Sequence, residues 1–216
     1  MPKKTLTPKQ ARSKESEARL MLAARELLNE KGLVGTTVPR VAARAGLSAG
    51  AVYRRFPDKD ALLRSVVLDF IQRVEAGNAA ILTPKLAKLG SLSDFAKMAV
   101  KTSLASHRKS ARMLRAIHQF VLAHPSDAFK KKVFDVEVRS VRRVANFLLL
   151  KRKEIRHPQP ESAVTFALMQ LGFALQAIVV LDVLPGLRDP RLPRNDEELA
   201  GELTRMFLSY LGVSSA

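Results

Sequence analysis

The chain has 216 residues, enough for one large domain or two smaller ones, and its 47% of hydrophobic residues is ordinary for a globular protein. It contains no cysteine, which excludes a disulfide framework and thiolate chemistry. Its net charge of +17 favours a polyanionic partner, either nucleic acid or an anionic membrane.

The positive charge is concentrated in two regions. Residues 1–60 carry a net charge of +7 and residues 108–156 a net charge of +10, while the rest of the chain is neutral overall. The N-terminus, MPKKTLTPKQARSKESEAR, is polar and basic and lacks the apolar core of a signal peptide. We therefore expect an N-terminal and a central basic surface.

Helical signals begin close to the N-terminus. Thr7 is a capping residue, Pro8 suits the first helical position, and Gln10 completes a capping box. Gly32 is a natural helix stop, so a first helix is predicted within residues 8–31. Its apolar face is formed by Leu20, Ala24, Leu27 and Leu28.

Two short helices and a longer one are predicted next. Thr36 and Thr37 can cap a helix over Val38–Ala45, with Pro39 tolerated in its first turn. Gly46 ends that helix, Ser48 can cap a helix over Ala49–Arg55, and Pro57 ends it. Asp58 then caps a linking helix, residues 59–82, with the core-facing stripe Leu62, Leu63, Val66, Val67, Phe70, Ile71 and Val74.

The remainder of the chain is also helical in pattern. Helices are predicted over Ser93–His107, over Ser110–Ala123 and from Ser126 to about His157, followed by an apolar segment, 161–184, and a loop, 185–194. Asn195 and Glu198 give a last capping signal. Because no strand alternation is found, an all-α fold of about nine helices is predicted. The apolar stripe expected on the helix after Ser126 is Phe134, Val138, Val141, Ala145 and Leu148.

The segment GLSAG, residues 46–50, permits two interpretations. It matches G-x-S-x-G, in which Ser48 would be the nucleophile of a hydrolase, but that motif needs a buried strand before the serine. The preceding VPRVAARA has helical spacing and two arginines, which indicates a helix. Two short helices joined by a tight glycine turn are instead typical of a helix-turn-helix, in which Ser48 is a cap.

A wider motif surrounds this turn. The run GLVGTTVPRVAARAGLSAGAVYRRFPDKDALL, residues 32–63, resembles the DNA-binding domain of TetR-type transcriptional repressors. Its matching elements are the threonine pair, the turn, Tyr53, Phe56, and Lys59 followed by Leu62 and Leu63. The resemblance covers about residues 16–70, and the rest of the chain matches only in length and helical character.

The resemblance implies a bacterial, cytoplasmic, nucleoid-associated homodimer that places two recognition helices on a roughly palindromic operator in double-stranded DNA. It implies a helix-turn-helix domain over residues 1–60, the linking helix 59–82, and a ligand-binding and dimerisation domain over 83–216. A small-molecule effector would release the operator, and the last two helices would form the dimer interface. The residues that it places near DNA are Thr37, Ser48, Ala49, Gly50, Tyr53, Arg54, Arg55 and Lys59, and Arg40 is added as a further predicted DNA contact.

Two positions depart from the family pattern. Ala49 stands where relatives often carry a longer base-reading side chain, and Pro39 stands where a polar reader can appear. Alanine can still contact a thymine methyl group. We therefore expect few direct contacts to base edges. Sequence specificity would then depend on Arg40, Arg54, the basic tail or DNA shape.

No enzyme activity, cofactor or metal site is predicted. The four histidines form no i, i+4 pair and no chelating cluster. The effector pocket is expected among large apolar residues on inner helices and a few polar groups that orient a ligand. These candidates are Phe95, Met98, His107, Met113, His118, Phe120, Phe166, Met169, Phe173 and Gln176.

Two features of the C-terminal part leave alternatives open. Ala163–Leu181 is apolar enough to span a membrane, which permits the interpretation that the protein is a membrane-associated sensor. Recurring Gln and Thr residues in the segment favour a buried helix and no membrane partner. The central basic region is either a solvated outer face or a surface that attracts DNA or an anionic effector. Its main charges are Lys130–Lys132, Arg139, Arg142, Arg143 and Lys151–Lys153.

Overall fold

The structure, a computed structural model, describes residues 8–181 and 191–213. Within these ranges the chain forms nine α-helices and no strand, which confirms the predicted all-α class. A 3-10 turn, Leu149–Glu154, follows α7, and a π-helical turn, Gln176–Val180, follows α8. The helices are α1 Pro8–Gly35, α2 Val38–Arg44, α3 Ala49–Tyr53, α4 Lys59–Ile81, α5 Pro84–Ala87, α6 Leu92–Ala123, α7 Asp127–Leu148, α8 Pro160–Leu175 and α9 Asp196–Tyr210.

Several predicted helix boundaries are confirmed by hydrogen bonds. The Asp58 carboxylate accepts from the amide of Ala61 at 2.6 Å at the start of α4. Asn195 Oδ1 accepts from the amides of Glu197 and Glu198 at 3.0 and 2.9 Å at the start of α9. The predicted cap at Thr7 and most of the predicted loop, 185–194, lie outside the described residues.

The predicted break between two helices after His107 is wrong, because α6 runs without interruption from Leu92 to Ala123. The polar run at the expected break continues the helix. His107 Nδ1 bonds the carbonyl of Ser103 at 2.8 Å, one turn earlier. Arg108 donates from Nη2 and Nε to Asp196 Oδ1 at 2.8 and 3.0 Å, so its side chain is paired while the backbone stays helical.

The helix after Ser126 is shorter than expected and presents a different face to the core. It ends at Leu148 rather than near His157, and the chain continues as the 3-10 turn. Phe134 and Val138 from the predicted stripe are 51% and 54% exposed, whereas Ala145 and Leu148 are buried. The residues of α7 that are buried toward its N-terminal end are Phe129, Val133 and Val136.

The described chain divides into two compact units by its contacts. One extends to Phe70 and includes Arg112–Lys130, and the other contains Ile71–Ala111 and the residues from Lys131 onward. The C-terminal end of α6 therefore belongs to the same unit as the helix-turn-helix. The assignment of functional domains to residues 1–60 and 83–216 remains a prediction.

The first unit is built on α1, which packs on α2, while α2 packs on α3. Each helix contributes apolar side chains that are almost completely buried, and each fully buried Leu or Val among them stabilises the fold by about 1.5–3 kcal/mol. Phe56, an aromatic residue of the motif, is 7% exposed and belongs to this core. The buried residues include Leu20, Leu28, Val41, Ala42, Val52, Leu62 and Val66.

The second unit contains two apolar clusters. In one, residues of α6, α7, α8 and α9 meet, and Phe95 packs edge-to-face on Phe147 with ring centroids 5.1 Å apart. In the other, Val100 and Leu104 of α6 pack with residues of α8, the π-helical turn and α9. The α8 residues Ala163, Val164, Ala167, Leu171 and Leu175 are all buried.

Among the described residues, one helix is long and apolar enough to cross a membrane. It is the segment Pro160–Val180, with a mean hydropathy of 2.0. Its inner face belongs to the two clusters above, but 39% of this window is buried within the chain. The remaining face therefore presents apolar side chains outward, including Phe166 and Phe173.

Candidate nucleic-acid interface

The turn between α2 and α3 is a Schellman motif. The amide of Leu47 donates to the carbonyl of Ala42 at 2.9 Å, and the amide of Gly46 donates to that of Ala43 at 3.1 Å. Gly46, the predicted end of the helix, has φ +64°, a left-handed conformation that glycine adopts readily. This geometry ends α2 and redirects the chain into α3 within three residues, Gly46 to Ser48.

Ser48 caps α3, as predicted. Its backbone is extended, and its Oγ accepts from the amide of Ala51 at 3.2 Å. A helix and a turn precede Ser48, where a nucleophile elbow requires a strand. The interpretation of GLSAG as a helix-turn-helix therefore fits the local geometry, and the hydrolase interpretation does not.

Helix α3 has a buried side and an open side. Ala51 and Val52 are 6% and 0% exposed and hold the helix against the unit beneath it. Ala49 and Gly50 are exposed, and Tyr53 is 54% exposed. Small side chains on the open side allow close approach of a groove, while the Tyr53 hydroxyl and the Arg54 guanidinium can donate to phosphate oxygens.

Three basic residues among the predicted DNA contacts are engaged within the chain. Arg40 Nη1 donates to the carbonyl of Gly35 at 3.0 Å, and Lys59 Nζ donates to that of Leu33 at 3.3 Å. Arg55 donates to the Oγ of Ser13 at 2.8 Å. Thr37 is the N-cap residue of α2 but makes no side-chain cap bond. Of the arginines in this set, Arg54 has no hydrogen bond or ion pair within the described part of the chain.

Thr36 acts on the turn before α2 rather than as a cap. It is almost fully buried, and its Oγ1 donates to the carbonyl of Gly32 at 2.8 Å. Gly32 has φ +66° and interrupts α1 at the predicted helix stop, and a last helical stretch then continues to Gly35. The threonine therefore fixes the turn that delivers α2 to its position.

An ion pair that was not predicted from the sequence holds α2 against α1. Arg44 makes two bonds of 2.8 Å to the carboxylate of Glu30 and one of 3.4 Å to Glu26. The hydrogen bond from Arg44 lowers the pKa of Glu30, and the bond from Glu30 in turn raises the pKa of Arg44. The spacing between these residues carries no signal in one sequence, since they lie on different helices.

Two further contacts join residues 112–130 to the helix-turn-helix within the first unit. Arg112 Nη1 donates to the carbonyl of Glu30 at 2.5 Å. His124, 5% exposed, places Nε2 3.0 Å from Asp60 Oδ2, and its Nδ1 accepts from the amide of Ser126 at 3.0 Å. With Nδ1 acting as acceptor, Nε2 carries the proton and donates to Asp60.

Comparison with known proteins agrees with this geometry. Residues 20–66 match the family model for bacterial regulatory proteins of the tetR family. The chain carries a TetR-type N-terminal domain. No curated protein matches the sequence.

Solved structures of TetR-type regulators share the whole fold. A protein described as a TetR-family transcriptional regulator from Mesorhizobium loti is 19% identical, with a TM-score of 0.73 over 93% of this chain and 97% of that one. FadR from Bacillus subtilis, solved with stearoyl-CoA, is 15% identical, with a TM-score of 0.64 over 89% and 98%. RolR, solved with resorcinol, is 20% identical, with a TM-score of 0.54 over 94% and 91%.

The effector-pocket candidates are divided between the two compact units. Met113, His118 and Phe120 belong to the first compact unit and the other candidates to the second. Phe120 packs against His124 and Phe129 with centroid distances of 5.3 and 5.8 Å. The candidates Met98, Phe166, Met169 and Phe173 are exposed by 41–61%.

Gln176 differs from the other candidates in having an unsatisfied polar atom. Its Nε2 is buried and has no hydrogen-bond partner among the residues that the structure describes. It also begins the π-helical turn, a local distortion that frequently occurs at functional sites. A buried donor without an acceptor suits a ligand oxygen, so Gln176 stays a predicted ligand contact.

Proposed function

We propose that this protein is a DNA-binding transcriptional repressor that a small-molecule effector releases from a palindromic operator. The observation that carries the proposal is the Ser48-capped helix α3, which follows a Schellman turn and exposes Ala49, Gly50, Tyr53 and Arg54 on one side. Its apolar side is buried, so the exposed side is available to a major groove. The TetR-type domain and fold support the same function.

The proposed DNA contacts fall into two groups. Tyr53, Arg54 and Ser48 lie at the exposed helix and donate directly to phosphates. The second group donates to oxygens of the chain itself and consists of Arg40, Arg55 and Lys59. When DNA binds, these side chains would donate to phosphate oxygens in place of, or in addition to, their acceptors within the chain. Thr37, Ala49 and Gly50 contribute close backbone approach, and the methyl group of Ala49 can meet a thymine.

The proposed effector is a small organic molecule bound in the C-terminal part. Two structural relatives were solved with such molecules, stearoyl-CoA and resorcinol. Release requires that the effector bind the DNA-free conformation more tightly than the DNA-bound one. We propose that the protein acts in the bacterial cytoplasm as a homodimer through α8 and α9, without a membrane partner.

Selection from genomic DNA tests the DNA-binding part of this proposal. The purified protein is mixed with fragmented genomic DNA, and the retained fragments are sequenced. We expect enrichment of a short palindrome whose half-sites are about one helical turn apart, 10–10.5 base pairs. Recovery of fragments without a shared motif would contradict sequence-specific regulation.

Arg54→Ala then tests the contact assignment on the selected operator. Because a phosphate contact releases about one counterion, the slope of log K against log salt should become shallower by about 1, with similar weakening for all operator variants. Lys88→Ala removes an exposed charge from the second unit and serves as the control. Unchanged affinity in Arg54→Ala would remove Arg54 from the interface, and loss of preference at one base pair would make it a base reader.

A further inference from the structure

One face of α7 carries a stripe of arginines beside apolar residues. Arg139, Arg142, Arg143, Asn146 and Leu150 follow a spacing of i, i+3, i+4, i+7 and i+11, which places them on one side of a helix and the turn that continues it. They line an open groove with a volume of about 440 Å³. The other lining residues are Leu82, Pro84 and Phe147.

Contacts between α4 and α7 fix this groove. Arg143 donates from Nε and Nη2 to Glu75 Oε1 at 3.0 and 2.6 Å, and Asn78 Nδ2 lies 3.3 Å from Ser140 Oγ. Glu75 is largely covered, with 19% of its side chain exposed. Arg143 is therefore neutralised and held in place, so that it acts as part of the wall.

Arg139 and Arg142 are left without a counter-charge. Both are exposed, and neither has a hydrogen bond or ion pair within residues 8–181 and 191–213. Two guanidinium groups one helical turn apart form a site for an anionic group with several oxygens, because each group can donate two parallel hydrogen bonds. Phosphate and carboxylate both satisfy this requirement.

The apolar residues that line the groove indicate the chemistry of the rest of the ligand. Leu150 is 55% exposed, and Leu82, Pro84 and Phe147 border the same space. A DNA backbone would neutralise the arginines but would leave this apolar surface in contact with water or polar sugar atoms. A molecule with both an anionic head and an apolar body satisfies both parts.

We infer that the groove between the end of α4 and α7 binds a small amphiphilic anion. Its phosphate or carboxylate lies on Arg139 and Arg142, and its apolar part lies on Leu82, Pro84 and Leu150. None of the pocket candidates named from the sequence lines this groove. The proposed site does not rest on operator binding by α3, because amphiphile binding is measured without DNA.

Calorimetric titration with octyl phosphate and octanoate tests the site. Arg139→Ala/Arg142→Ala should weaken binding of the preferred amphiphile at least about tenfold, since two charge-assisted contacts are lost. The matched control, Lys132→Ala/Lys153→Ala, removes the same charge from exposed positions outside the groove and should change affinity by less than about twofold. Circular dichroism confirms that both variants remain folded.

A second pair of measurements separates head from tail. Leu150→Ser should weaken octyl phosphate while leaving the weak binding of inorganic phosphate unchanged, and uncharged octanol should not bind at this site. The ratio of octyl phosphate to octanoate affinity identifies the preferred head group. Equal binding by wild type and Arg139→Ala/Arg142→Ala, or absence of binding by wild type, would overturn the inference. Loss of operator affinity in the double arginine variant, with amphiphile binding unchanged, would make this face a DNA contact instead.

Discussion

Gly46 and Gly50 belong to the same helix-turn-helix, but they differ in whether their position requires glycine. Gly46 has φ +64°, and a Cβ built on it would meet nothing within 4 Å. Gly50 is helical, and its Cβ would meet Arg54 Nη1 and Ser48 Oγ at 3.8 Å, an ordinary contact distance. The first glycine is therefore needed for its backbone conformation, and the second is compatible with alanine in the free protein.

Alanine at these two positions should have opposite effects on stability. Gly46→Ala should lower the free energy of unfolding by about 1–2 kcal/mol, because an L-residue is strained in the left-handed region. Gly50→Ala should leave stability unchanged or raise it by about 0.5–1 kcal/mol, since alanine favours a helix. Urea denaturation measures both, and equal destabilisation by the two substitutions would contradict the backbone argument.

Operator affinity tests the proposed close approach of DNA to Gly50 separately from the effect of this residue on stability. Gly50→Ala adds a methyl group to the exposed side of α3, where we propose close approach to DNA, so its operator affinity should fall although the protein stays folded. If Gly50→Ala binds DNA as tightly as the wild type, the groove does not approach this part of the helix.

At the residue scale, local signals were predictable and pairings between helices were not. Ser48, Asp58 and Asn195 cap their helices as the sequence predicts, because a cap depends on residues within one turn. The bond of Arg44 to Glu30 joins separate helices, so the spacing of the two residues in the sequence does not predict it. The same limit applies to Arg55, whose predicted phosphate contact competes with Ser13.

At the element scale, the C-terminal end of α6 and the first turn of α4 meet at His124. The ring donates to Asp60, accepts from the amide of Ser126, and packs against Phe120 and Phe129 at 5.3 and 4.8 Å. Asp60 also pairs with Arg64 at 3.4 Å. A buried imidazole with both nitrogens engaged fixes the two helix ends relative to each other.

A double-mutant cycle on His124 and Asp60 measures this connection. His124→Ala should cost about 2 kcal/mol or more, because it leaves a cavity and an unpaired amide. The coupling free energy between His124→Ala and Asp60→Ala should be about 1–2 kcal/mol. Arg64→Ala on the same helix provides the control, since its exposed pair with Asp60 should couple by less than about 1 kcal/mol. Additive effects of His124→Ala and Asp60→Ala would show that their bond does not hold the helices.

The length and facing of the longer helices were harder to predict than their existence. The run His107-Arg108-Lys109-Ser110 resembles a break, but it contains neither glycine nor proline, and Arg108 finds Asp196 on another helix. Helix α7 has apolar residues on two sides, so its sequence alone does not say whether Val133 or Phe134 faces the core. Packing partners decide that, and they place Val133 inside at 2% exposure.

At the scale of the whole molecule, α8 exposes a row of large apolar side chains that meets Tyr210 of α9. Phe166, Met169 and Phe173 follow one face of α8 and are 48%, 43% and 61% exposed. Tyr210 of α9 lies beside them, with its ring 5.6 Å from that of Phe166. Contiguous exposed aromatic and methionine side chains are typical of a protein interface, which supports the proposed dimer.

The same surface also explains the apolar composition of Pro160–Val180 without a membrane. Its inner side chains complete the core, and a second copy of the chain would cover its outer side chains. If the outer face served a membrane instead, the purified protein would require detergent. A dimer that purifies in plain buffer therefore distinguishes the two interpretations of this helix.

Phe173→Glu tests the dimer, because burying a carboxylate against the partner's apolar surface is strongly unfavourable. Light scattering after size exclusion should report a dimer for the wild type and a monomer for Phe173→Glu. Phe134→Glu places the same charge on α7, at a residue 51% exposed outside this surface, and should remain dimeric. The monomer should bind the operator at least about tenfold more weakly, because its two half-sites are no longer bound together. Dissociation by Phe134→Glu and not by Phe173→Glu would move the interface to α7.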